Sequence, residues 1–162
     1  MKTSSLIKTG AGFIVLFLIA IQFFDTTKNI AAVPSENALE KHYQVPDHVQ
    51  GLLKTSCYDC HSNTTAYPWY NNIQPVKWWL ADHVNSGKRH FNFDEFNSYS
   101  KEKKLKKLDE VAETIREGEM PLTSYTVVHQ NAKLSDIQKS EIEQWVKEVK
   151  KQIEYQFVKK QK

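Results

Sequence analysis

The chain has 162 residues, 40% hydrophobic and 12% aromatic, with a formal net charge of +3. That length allows one domain with an N-terminal extension, and the apolar content allows a modest core. Of the 22 basic residues only two, Arg89 and Arg116, are arginine, and no basic stripe interleaves with aromatics, so a nucleic-acid partner is excluded as an expectation.

In chain order, Lys2 and Lys8 precede an apolar run, Ala11 to Phe24, broken only by Gly12 and Gln22 and ended by Asp25. The pattern predicts an export segment over 1–24, a signal-anchor or a signal peptide. Its length suits a cleaved signal. The want of a small-x-small site beside it favours an uncleaved anchor helix. Lysines ahead of the run would keep the N-terminus in the cytoplasm and put the rest on the periplasmic side of a bacterial membrane. Residues 25–45 are polar, with Pro34 among them, and predict a linker.

A domain is expected over 46–155. Pro46 suits a first helical turn, and Val49, Leu52, Leu53 and Ser56 fall at helical spacing. This short helix runs into Cys57-Tyr58-Asp59-Cys60-His61, which uses both cysteines of the chain. Cys-x-x-Cys-His is the attachment pattern of c-type haem. The two thiols add to the haem vinyls as thioethers, and the histidine then ligates iron from one face. Two intervening residues put both sulfurs on one side of a helical turn. Arbitrary sequence of this length yields the pattern in roughly one chain in a thousand. A thioredoxin-like pair would need alternating strands and helices around it, which are absent from the pattern. A structural zinc site would need about four ligands, and no second cysteine pair exists. A Cys57–Cys60 disulfide would close too short a loop to stabilise much. The expected cofactor is one covalent haem c.

After His61 the stretch holding Asn63, Thr64, Thr65, Pro68, Asn71 and Asn72 predicts a loop wrapping the haem edge. Gln74-Pro75 opens a helix from Val76 to about Ser86, stopped by Gly87, with Trp79, Leu80, His83 and Val84 on one face. Phe91 to Phe96 is aromatic but too charged to predict a strand. Lys101 to Glu117 is amphipathic, with Leu105, Leu108, Val111, Ala112 and Ile115 as its stripe and Gly118 as its C-cap. Ser135 and Gln138 fit a capping box for a last helix lined by Ile142, Val146, Val149 and Ile153. Residues 156–162 are a basic tail. The fold class is all-α: a small, loop-rich helical domain around one haem, preceded by the N-terminal hydrophobic helix.

The sixth iron ligand is expected from Met120, on a loop just past a helix end and followed by Pro121. A thioether is soft and neutral, and it favours ferrous iron. The rival ligands are His83 and His129. His42, His48 and His90 are expected as surface or satisfied core residues. A ligating histidine donates its other ring N–H to a carbonyl or carboxylate, and the Pro75 carbonyl is a candidate partner for His61. Trp79 and Trp145 are candidates for packing the haem or a helix crossing, with plain core packing expected of Trp145.

This order of parts resembles class I cytochromes c. More closely, the stretches from Cys57 to Phe96 and from Glu117 to Trp145 are similar to the bacterial haem-binding domain family of small exported c-type proteins. The resemblance covers about two-thirds of the chain. It implies covalent haem and electron transfer with an as yet unidentified redox protein, rather than catalysis. The competing reading is a haem-based sensor or small-molecule-binding module with a weak or absent sixth ligand. The lysines at 101–107 are expected to be either a solvated helix face or a steering patch for an acidic redox partner.

Overall fold

A computed structural model describes residues 2–160, with the side chains of residues 2–6 and 160 left out. Gln161 and Lys162 of the expected basic tail lie outside the described residues. The fold is all-helical, and among the described residues no sheet forms; one isolated bridge joins Ile30 to Thr64. The helices are α1 (Lys2–Ala20), α2 (Leu39–His42), α3 (Asp47–Ser56), α4 (Tyr58–His61), α5 (Val76–His90), α6 (Lys101–Glu117), α7 (Thr123–Thr126) and α8 (Asp136–Lys160). Short 3₁₀ turns occupy Ile21–Phe23, Trp69–Asn72, Phe93–Ser98 and Gln130–Ala132.

The N-terminal anchor is corrected. Among the described residues no helix is long and apolar enough to cross a membrane. The first half of α1 carries Thr3, Ser4, Ser5, Lys8 and Thr9, and the α-helix gives way to a 3₁₀ turn at Ile21. Gln22, the polar break in the apolar run, is tied to the body. Its amide donates to the Gln74 carbonyl at 3.2 Å and its Oε1 accepts from Gln74 N–H at 3.0 Å.

The end of α6 and the start of α8 match their sequence signals. Ser100 accepts from Lys103 N–H at the start of α6, and Gly118 ends it in the left-handed conformation at φ 76°. That backbone favours glycine and turns the chain off the helix axis. At the start of α8, Ser135 N–H donates to Gln138 Oε1 at 2.9 Å and Gln138 N–H to Ser135 Oγ at 3.3 Å, a capping box. No Gly or Pro follows, so α8 continues to Lys160. Helices α6 and α8 pack along their stripes: Leu108, Ile115, Ile142, Val146, Val149 and Ile153 are all buried. Each such side chain stabilises the fold by about 1.5–3 kcal/mol relative to exposure.

Residues 25–45 do more than link. Ala38, Leu39 and Tyr43 are buried, and Leu39 and Tyr43 join the core. Trp145, a core residue as expected, donates its indole N–H to the Gln44 carbonyl at 3.2 Å, holding this segment on α8. Three apolar positions in a polar stretch are enough to seat it, too few to show as periodicity.

Of the lysines of α6, Lys103 and Lys106 are exposed, as on a solvated face, whereas Lys104 is not. Lys104 is buried, donating to Tyr43 Oη at 3.1 Å and Asn97 Oδ1 at 2.9 Å. Lys101 and Lys103 lie over the rings of Phe157 and Tyr99, and Lys106 and Lys107 pair with Glu110. The cluster is engaged in local packing rather than presented as one free patch.

Candidate haem site

The motif residues Tyr58–His61 form one turn, α4, set almost end to end with α3. Cys57 caps it, and its carbonyl accepts from the N–H groups of Cys60 and His61 at 3.2 and 3.0 Å. Cys57, Cys60 and His61 all line a cavity of about 470 Å³. That volume is within the roughly 300–1,000 Å³ usual for cofactor sites. Its other walls come from α5, from α6 through Val111, Thr114 and Ile115, and from the loop carrying Met120, Pro121 and Leu122. Phe91 and Phe93 close it on the side of the core.

His61 is oriented from outside the motif. Its Nδ1–H donates to the Phe91 carbonyl at 2.9 Å, the tautomer in which Nε2 carries the lone pair. The Pro75 carbonyl, expected in this role, instead accepts from Trp79 N–H at 3.2 Å at the start of α5. The difference follows from the length of α5. It passes Gly87 and ends at His90, so the Phe91 carbonyl just beyond its end is the group facing His61. Burial lowers the His61 pKa, outweighing its backbone acceptors, which act the other way. The shift favours the neutral ring, the form that binds metal.

Gly87 is therefore not a stop signal. A Cβ there would sit 2.5 Å from the Cys60 carbonyl oxygen and 3.1 Å from Cys60 Cβ. Glycine lets α5 lie directly on α4. Replacing it, Gly87→Ala, is expected to destabilise the domain by about 1–3 kcal/mol through overpacking against backbone. Thermal unfolding of the purified variant measures this, and an unchanged midpoint would refute the close contact.

The surroundings of the thiols disfavour the thiolate form. Burial pushes Cys57 up to about 12, with the neighbouring Cys60 adding to it. Burial, then the Asp59 charge, pushes Cys60 up to about 11. A disulfide-exchange cysteine needs the opposite shift, so the environment disfavours a thioredoxin-like use of the pair.

Of the proposed sixth ligands, Met120 lines the cavity. It is delivered by the Gly118 turn, and its N–H, like that of Glu119, bonds to the Thr114 carbonyl. His83 also lines the cavity, with Nδ1 bonded to the Trp79 carbonyl at 2.8 Å. His129 does not line it. Its Nε2 is 2.7 Å from Tyr70 Oη and its ring stacks on Tyr125 at 4.3 Å. His90, expected as a default surface residue, is exposed but on the cavity rim.

The loop after His61 does not wrap the cavity. Its polar groups are taken up elsewhere: Asn29 donates to the Ser62 carbonyl and Thr65 Oγ1, Thr65 donates to the Asp59 carbonyl, and Asn63 N–H to Asp94. The loop is a strap between the N-terminal segment and the motif.

A family model described as a haem-binding domain matches residues 16–148. The chain belongs to the haem-binding domain family. It is thus a haem-binding protein, and the mainly apolar cavity at Cys57–His61 fits a flat apolar macrocycle with polar groups at its edge. No curated protein and no solved structure matches the chain. In this haem-binding domain Cys57, Cys60 and His61 lie on one wall of the cavity, and Phe91, Val111 and Ile115 supply apolar lining. Sequence reasoning missed the Phe91 carbonyl, Gly87 and Asp59. Gly87 alone carried a signal, as a glycine inside a helical pattern.

Proposed function

We propose that the domain is a c-type cytochrome with one haem, attached through Cys57 and Cys60, ligated by His61 and Met120, and working in electron transfer outside the cytoplasmic membrane. One observation carries this reading: both thiols, His61 and Met120 line the same cavity, with His61 Nδ1 already committed to the Phe91 carbonyl. Bound haem supplies a one-electron ferrous–ferric couple. The chain supplies the rest. His61 is fixed by its carbonyl acceptor and by α5 pressed against the attachment turn. Met120 offers a neutral thioether that favours the reduced state. Val111, Ile115, Phe91 and Phe93 keep water from the ring and so reduce the reorganisation that accompanies a change of charge. The domain is a carrier rather than an enzyme, and its partner is another redox protein.

Carbon monoxide tests the reading. The reduced protein is expected to keep its spectrum under the gas over minutes, because the sixth position is filled. Rapid binding would favour the sensor or small-molecule-binding alternative.

A further inference from the structure

We propose that Tyr125 and Asp59 form a latch that keeps Met120 over the attachment turn; this rests on Met120 as the sixth ligand and adds what holds it there. Met120 sits on the loop between Gly118 and α7. On its near side the loop is held by the Thr114 carbonyl, which accepts from Glu119 and Met120 N–H at 2.9 and 3.2 Å. On its far side the Tyr125 phenol donates to Asp59 Oδ2 at 2.7 Å and lies 3.5 Å from the Thr55 carbonyl. Asp59 is one of the two residues between the haem cysteines. It cannot drift, because its Oδ1 accepts from Ala66 N–H at 3.0 Å and its carbonyl from Thr65 Oγ1 at 2.6 Å.

A phenol bonded to a carboxylate is a strong, short hydrogen bond. It joins the proximal turn directly to the segment bearing the distal side chain. The Tyr125 ring is set for this bond from behind. It stacks on His129 at an interplanar angle of 15°, and His129 is held by Tyr70 Oη. This also accounts for His129, which serves as a backing plate rather than an iron ligand. With the bond broken, the loop keeps its Thr114 anchor and loses its tie to the motif. Tyr125 and Asp59 are positioning residues, acting on iron only through Met120.

The test uses the holoprotein and the rate at which imidazole enters the ferric site. Tyr125→Phe keeps the ring on His129 and removes the bond. It is expected to speed imidazole binding by about tenfold or more, the effect of losing a charge-assisted bond. Asp59→Asn should do the same, and the double variant should be no faster than either single one. Ser135→Ala, at the distant cap of α8, lowers stability without touching the loop and should leave the rate unchanged. Rates within twofold of wild type for both Tyr125→Phe and Asp59→Asn overturn the latch, as does an equal acceleration by Ser135→Ala. If Met120→Ala itself binds imidazole no faster than wild type, the ligand assignment fails and takes the latch with it. A fast Met120→Ala beside a slow Tyr125→Phe overturns the latch alone.

Discussion

Protein carrying both Cys57→Ser and Cys60→Ser, matured with the c-type attachment machinery, is expected to retain no haem after denaturation. Each single variant should retain haem through one thioether. The two thiols are the only cysteines in the chain, so nothing else can substitute for them. Cys57, at the N-cap of α4, and Cys60, within α4, both line the cavity, and this turn is braced by α5 at Gly87 and by the bond from Ala66 N–H to Asp59. Serine nearly preserves the side chain's shape while removing the sulfur that would form the thioether. Folding should therefore survive better than attachment, which separates a chemical loss from a structural one. Haem staining on a denaturing gel reads the result. A stained band at wild-type intensity from the double variant would mean that these thiols do not hold the cofactor.

Met120→Ala is expected to have the second large effect. Removing the thioether opens the sixth position, so carbon monoxide should bind the reduced variant where it does not bind wild type. The midpoint potential should fall by on the order of 0.1 V, a fraction of the ~0.8 V over which axial ligation tunes haem. The far-red charge-transfer band of a methionine-bound ferric iron should vanish. His83 lines the same cavity, so capture of the vacated position by its imidazole is the outcome to check, and Met120→Ala/His83→Ala removes it. If Met120→Ala leaves spectrum, potential and gas binding unchanged, another residue is the ligand.

Much of this was legible in the residues themselves, and the reasons are physical. The end of α6 could be read because Gly118 has a backbone preference that acts locally. The start of α8 could be read because Ser135 and Gln138 satisfy one another within a single turn. The motif pointed to haem because it gathers both cysteines and a histidine within five residues. What stayed hidden depends on partners far along the chain. The acceptor of His61 is a backbone carbonyl 30 residues away, and no side-chain pattern encodes a carbonyl. Gly87 looked like a terminator because close helix packing and helix termination both call for glycine. Residues 25–45 looked like a tether because Leu39 and Tyr43 are too few to set a period, although the core receives both. The apolar run before Asp25 was misjudged as an anchor helix because composition alone does not give helix length. Six of the eight residues 2–9 of α1 are polar, and the α-helix stops at Ala20.

The family assigns haem to this domain, and the cavity offers the two sulfurs, one oriented imidazole and one thioether. Covalent attachment is the claim on which the electron-transfer reading stands. Mass spectrometry of the denatured, matured protein tests it most directly. The expected result is a chain heavier by one haem, with the added mass on the peptide spanning Cys57–His61. A chain of unmodified mass that released its haem on denaturation would contradict the account.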